Sequence, residues 1–203
     1  MDILSIVVMS TINAIVLSLQ PHSDKAHILH AYTREHGRVN YMVYGVGRKN
    51  PIGCYNPLSL IQITTSASSK ALASIRTANL TFIPTTIHTD PYKQTIVLFL
   101  SEILFHTLCH PMADEAIFDY IQHAICLLDE QTDIQDFHLQ FLIHFAALLG
   151  FAIDEYTHPE LVKKPTSRHE RQVQLRQLCG YMAEHIDNWH EPRSLDVLME
   201  VFD

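Results

Sequence analysis

The chain has 203 residues, 47% of them hydrophobic and 18% charged, with a formal net charge of -8. That length admits one large domain or two small ones, and the composition excludes a disordered polymer. Four cysteines (Cys54, Cys109, Cys126, Cys179) stand far apart with no CxxC pair, so no zinc knuckle or secreted disulfide framework is legible and a reducing cytoplasm is the expected home.

The net charge hides an asymmetry. Residues 1–80 hold seven Lys/Arg (Lys25, Arg34, Arg38, Arg48, Lys49, Lys70, Arg76) against three acids (Asp2, Asp24, Glu35), a balance of +4. The remaining seven bases and nineteen acids leave residues 81–203 at -12, which restores the total of -8. A split of that kind suggests two domains, one of them facing a polyanion.

Residues 1–19 are apolar but broken by Asp2, Ser5, Ser10, Thr11 and Asn13, with no preceding Lys or Arg. They make a poor signal peptide and a poor membrane span, and Met9 offers a second start. Asn13 to Leu19 reads as a buried strand, Gln20 to Lys25 as a turn-rich break, and Ala26 to Thr33 as a strand entering a hairpin. His36-Gly37 supplies the hairpin turn, and Val39, Tyr41 and Val43 recur at the two-residue period of a half-buried strand. Asn50 to Asn56 is a turn cluster, Pro57 to Thr65 a further strand and Ala71 to Phe82 a last one. Five short strands with frequent turns predict a small barrel or sandwich.

After Pro84 the period becomes helical. Asp90-Pro91 opens a first helix, whose stripe is Ile96, Leu100, Ile103, Leu104 and Leu108. Asp114 caps a second helix. Thr132 with Gln135 has the form of a capping box for a third, which ends near Gly150. Residues 154–167 read as a connection, Ser167 to Ile186 as a fourth helix, and Ser194 as the cap of a short final one. The expected class is α+β: a barrel over residues 1–83, then a helical domain over residues 84–203.

Tyr32 to Lys49 (YTREHGRVNYMVYGVGRK) draws most attention, because cations alternate with rings. Small barrels hold single-stranded nucleic acid with such a surface, cations following phosphates and rings stacking on bases. The candidate DNA-binding residues are Arg34, Arg38, Arg48 and Lys49, with Lys25, Arg76 and Tyr41; Tyr32 and Tyr44 are further stacking candidates. Strand alternation requires that some of these rings point into the core.

Chemistry of other kinds is absent from the pattern. There is no GxSxG, GxxxxGK or GxGxxG, and His169-Glu170 lacks the second histidine of HExxH. Glu102, His106 and His110 share a helix face at steps of four, yet no further ligands stand at diagnostic spacing, so neither metal nor cofactor is expected.

In their order and spacing, several segments resemble the RecO family of bacterial recombination mediators. They are Val16–Val39, Gly45-Val46 with the basic pair behind it, Asn56–Leu60, Leu98–Phe105, Phe118–Asp129, Asp136–Phe151 and Ser194–Phe202. The set looks closest to members from Bacteroides-like bacteria. The resemblance implies an N-terminal OB-fold, a helical C-terminal domain and no enzymatic turnover. It also implies binding of single- and double-stranded DNA and annealing of complementary strands. The partners implied are RecR and the C-terminal tail of single-strand-binding protein, in a cytoplasmic, nucleoid-associated setting with no membrane or small-molecule substrate. Two features depart from the family: the loop after the glycine pair is short, and Phe151 to Ser167 lacks the longer segment that binds zinc in some members. The rival expectation is a protein-interaction scaffold, in which an apolar helical groove holds a partner's tail and DNA contact is minor.

Overall fold

The computed structural model describes residues 11–47, 50–66, 72–187 and 189–201. Met9, Arg48, Lys49 and Lys70 lie outside these. The chain forms two compact units: Met1–Ile83 with Leu108–Phe118, and Pro84–Thr107 with Asp119–Asp203.

Five strands build the first unit: β1 (Thr11–Ser23), β2 (Ala26–Thr33), β3 (Gly37–Tyr44), β4 (Leu60–Thr65) and β5 (Ile75–Leu80). All ladder pairs are antiparallel and the order is β3-β2-β1-β4-β5. An isolated parallel bridge from Met42 to Ser74, with Met42 N–H donating to the Ala73 carbonyl at 2.9 Å, brings β3 toward β5. This connectivity is that of the OB-fold, a partly open five-stranded barrel. Its interior takes alternate side chains from each strand, as the two-residue period dictates: Ile12, Ala14 and Val16, then Leu29 and Ala31, then Tyr41 and Val43. Ile61, Ile63, Ile75 and Ala78 complete the wall, and Cys54 and Tyr55 enter from a 3-10 turn at Ile52–Tyr55.

β1 runs past the expected break at Gln20 and reaches Ser23. Pro21, which lacks an N–H, sits beside a register shift between Pro21 and Ser23, a place where a strand tolerates proline. The turn itself is only Asp24 and Lys25.

The helices are α1 (Pro91–Thr107), α2 (Glu115–Glu130), α3 (Phe137–Leu148), α4 (Pro159–Val162), α5 (Arg168–His185) and α6 (Leu195–Val201). Asp90 Oδ1 accepts from the N–H groups of Tyr92 (2.8 Å) and Lys93 (3.3 Å), and Asp114 Oδ1 from Ile117 (3.1 Å), so both expected acidic caps form. Ser167 accepts from Glu170 N–H at 3.2 Å and caps α5. Two expected caps do not form. Buried Ile134 holds the chain in a turn, with Phe137 N–H on its carbonyl at 3.1 Å, so α3 begins at Phe137 and not after Thr132. Ser194 gives its hydroxyl (2.6 Å) and its N–H (2.9 Å) to Glu102 instead of capping α6.

The connection Thr85 to Ile87 is pinned by a buried carboxylate. Asp129 Oδ2 accepts from Thr85 N–H (2.8 Å) and its hydroxyl (2.9 Å), and Oδ1 from the N–H groups of Thr86 (2.8 Å) and Ile87 (2.9 Å). Buried Lys93 donates to the Asp129 carbonyl (2.8 Å) and the Thr86 hydroxyl (2.7 Å), which ties the start of α1 to the same knot. Burial alone would raise the Asp129 pKa, but the converging donors outweigh it and hold the group well below the usual carboxylate range.

His138, 3% exposed on α3, faces the edge of Phe99 with ring centroids 6.5 Å apart. Burial, reinforced by the Arg171 charge, pushes its pKa down to about 3. A histidine whose folded pKa lies below the unfolded value binds fewer protons when folded. Stability therefore falls as pH drops from about 6.5 toward 3, by about 2 kcal/mol between pH 7 and pH 5. Urea unfolding at those two pH values measures this, and His138→Phe is expected to remove most of the difference. Asp129 adds nothing in that window, since its contribution is complete above its unfolded pKa and is lost only as pH falls through the depressed one.

Candidate nucleic-acid interface

The basic hairpin has two ends, and they have different fates. At its turn, the Thr33 hydroxyl accepts from His36 N–H and donates to the Gly37 carbonyl, both at 3.1 Å. Gly37 has φ +64, the left-handed region, and its backbone lies so close to the Met112 carbonyl that a Cβ there would overlap it. The segment Leu108–Phe118 therefore lies across the hairpin as a strap. Arg38 donates its N–H to the His110 carbonyl (3.4 Å) and its guanidinium to the Leu108 carbonyl (3.3 Å). Burial lowers the Arg38 pKa to about 10, with Cys109 pulling the other way. Arg34 pairs with Glu115 at 3.5 Å and lies 5.5 Å over the Phe118 ring. Tyr32 is buried 6.5 Å from the same ring, and its hydroxyl lies 3.2 Å from Asp114 N–H.

The structure places three of the expected site residues as follows. Arg34 and Arg38 are engaged by their own chain. Tyr41 is 2% exposed within the barrel core, where burial drives its phenol up to about 12, so its ring cannot stack on a base. The alternation that sends Tyr41 and Val43 inward turns Tyr44 outward, at 47% exposure.

At the other end stand Lys25 and Arg76. Lys25 is exposed in the β1–β2 turn, its carbonyl accepts from Gly45 N–H at 3.5 Å, and Ala26 stands opposite Tyr44. Gly45, at φ +66, follows β3; Arg48 and Lys49 lie outside the described residues. Arg76 is exposed and follows Ser74 by two residues, as Tyr44 follows Met42, so the parallel bridge brings it toward the same end. The two ends of β3 are about 20 Å apart at the rise of a strand. On the face between them His30 Nδ1 and Asn40 Oδ1 are 2.7 Å apart, with half-buried Ile28 and Met42 beside them. Burial lowers the His30 pKa although the Asn40 bond opposes it.

Glu102, His106 and His110 do not converge on a metal. Glu102 serves Ser194, His106 stacks on His190 with centroids 4.9 Å apart, and His110 lies in the strap. Among the described residues no group of three His, Cys, Asp or Glu side chains is placed to hold a metal ion. No described helix is long and apolar enough to cross a membrane.

Comparison with known proteins decides the family. The N-terminal domain of recombination protein O matches residues 8–83 and its C-terminal domain residues 88–158. The DNA repair protein RecO of Flavobacterium johnsoniae is 30% identical over 230 residues, spanning 93% of this chain and 97% of that protein. The chain belongs to the RecO family of DNA repair proteins. The RecO of Phocaeicola vulgatus is 33% identical over 67% of this chain and 58% of its own length, and that of Bacteroides fragilis strain YCH46 31% identical over 70% and 62%. Because 93% of 203 residues is about 189, the 230-position alignment contains segments of the Flavobacterium RecO that this chain lacks.

The strap, which engages Arg34 and Arg38, is not legible in the sequence. Pro111 breaks the helical period there, which marks Leu108 to Asp114 as a loop. Nothing local says that the loop returns to a hairpin seventy residues earlier in the chain.

Proposed function

We propose that this chain is a DNA repair and recombination mediator. It binds single- and double-stranded DNA, anneals complementary strands and, with RecR and single-strand-binding protein, helps load recombinase, acting by binding and without turnover. The observation that carries the reading is an OB-fold barrel with a basic, exposed end in a chain that aligns along 93% of its length with a DNA repair protein RecO. An OB-fold presents its strand 2–3 face and the loops at one end to nucleic acid, and exposed Lys25, Tyr44 and Arg76 are assigned to that side. Arg48 and Lys49, which follow Gly47 in the sequence, are assigned to the same contact. Arg34 and Arg38 are reassigned to holding the strap.

The chemistry is electrostatic. Each phosphate neutralised releases counterions, so affinity falls as salt rises. Lys25→Glu/Arg76→Glu is expected to weaken single-strand binding about tenfold at low salt, and to reduce the logarithmic salt slope by about 1.4, two contacts at about 0.7 each. Annealing of complementary strands should slow with it. Arg34→Gln should change DNA affinity by less than about twofold, because its pair with Glu115 already competes for the cation.

One observation favours the scaffold reading: two of the hairpin's four cations serve the strap. On that reading Lys25→Glu/Arg76→Glu leaves capture of RecR intact and DNA binding is already weak in the parent chain. Parallel pull-down and anisotropy measurements separate the two.

A further inference from the structure

Residues 81–203 are strongly acidic, yet five of their seven Lys/Arg fall between 163 and 176: Lys163, Lys164, Arg168, Arg171 and Arg176. Arg171 pairs with Asp136 at 3.9 Å and Arg176 with Asp196 at 3.7 Å, while the Glu170 carboxylate is held by Thr166, on its N–H at 2.7 Å and its hydroxyl at 2.8 Å, which leaves Lys163 and Lys164 as the exposed pair. Lys163, Lys164 and His169 line an open hollow of about 370 Å³ between α4 and α5. Lys164 also belongs to the wall of a second hollow, of about 550 Å³, on α2 and α3. That hollow is aromatic: Tyr120, Phe137, Phe141 and His144 line it, with the Tyr120 ring tilted against Phe141 at 5.1 Å and His144 at 6.4 Å. Tyr120 donates its hydroxyl to the Phe141 carbonyl at 2.9 Å, which fixes the ring; Phe137 is half-buried and His144 exposed.

From this juxtaposition we propose that the helical unit carries a second single-strand nucleic-acid site, separate from the barrel. Phosphates lie along Lys163, Lys164 and His169, and a base enters the aromatic hollow. A cationic track beside rings is the arrangement that holds single strands without reading sequence. Asp133, Gln131 and Gln140 in the same wall offer acceptors to the amino and imino groups of a base edge. Those features also argue against the other occupant, an acidic peptide tail. Asp133 and Asp136 would repel a carboxylate entering the aromatic hollow, whereas a neutral base can enter it and leave its phosphates in the hollow lined by Lys163, Lys164 and His169. The proposal deepens the mediator reading, on which it rests: annealing brings two strands together, and two sites on one chain hold one each.

The test uses the full chain with a labelled oligothymidylate, and with the same strand carrying 2-aminopurine, whose fluorescence is quenched on stacking. Lys163→Glu/Lys164→Glu should weaken binding about tenfold at low salt and lower the salt slope by about 1.4. His144→Ala, a change at an exposed side chain, should cost about fivefold and reduce the quenching. Strand annealing should fall further than binding in both. If these variants bind and anneal like the parent while Lys25→Glu/Arg76→Glu is impaired, the barrel acts alone and the second site is wrong. If they lose only capture of a single-strand-binding-protein tail peptide, the hollow is a peptide groove and the proposal is overturned. If the parent chain itself binds no DNA, the mediator reading fails first.

Discussion

Gly37→Ala is expected to destabilise the barrel unit by about 3 kcal/mol or more, read as a fall in the urea midpoint. Two costs add. A non-glycine residue at φ +64 costs on the order of 1 kcal/mol. The new Cβ would also overlap the Met112 carbonyl and come within 2.9 Å of Ala113 N. Both neighbours are backbone, so no side-chain rotation relieves the clash, and the strap must lift from the hairpin. Lifting it removes the Arg38 bonds to the His110 and Leu108 carbonyls and uncovers Tyr32. Gly150→Ala supplies the comparison: its φ of +92 is also left-handed, but nothing lies within 4 Å of its would-be Cβ. It should cost only the backbone strain, about 1 kcal/mol. Equal losses at the two positions would mean that the strap does not press on the hairpin.

Asp129→Ala should cost about 3–5 kcal/mol in the helical unit, enough to remove much of a stability that is typically about 5–15 kcal/mol. The substitution strands three backbone N–H groups, of Thr85, Thr86 and Ile87, around a 5%-exposed position. It also removes the acceptor of the Thr85 and Thr86 hydroxyls, the second of which is held by the buried Lys93 ammonium. Asp129→Asn should recover only part of the loss. Both carboxylate oxygens accept, so whichever way an amide turns, its NH2 meets donors. Full stability in Asp129→Asn would contradict a requirement for two acceptors at that point.

What sequence made legible was whatever depends on near neighbours. The two-residue alternation in Val39, Tyr41 and Val43 marks β3, and Asp90, Asp114 and Ser167 mark helix starts, because a cap and its donors lie within three residues. Thr132 failed by the same logic, since the burial of Ile134, a tertiary demand, overrode a local capping pattern. The candidate site was half legible for a related reason. Charge and aromatic content picked out the hairpin, but not which cations its own chain would occupy. Arg34 and Arg38 are claimed by residues seventy or more positions away, and only the fold brings Glu115 to Arg34. Tyr41 and Tyr44 differ by three positions in one strand, so they face opposite sides, and composition could not say which side held the core.

Fluorescence anisotropy of labelled single-stranded DNA with the full chain, at about 50 and about 200 mM salt, most directly tests DNA binding by this chain. Binding at the lower salt that weakens by one or more orders of magnitude at the higher is the predicted result, as expected of contacts to several phosphates. No binding at either salt, or binding indifferent to salt, would contradict it and leave protein partners as the chain's only targets.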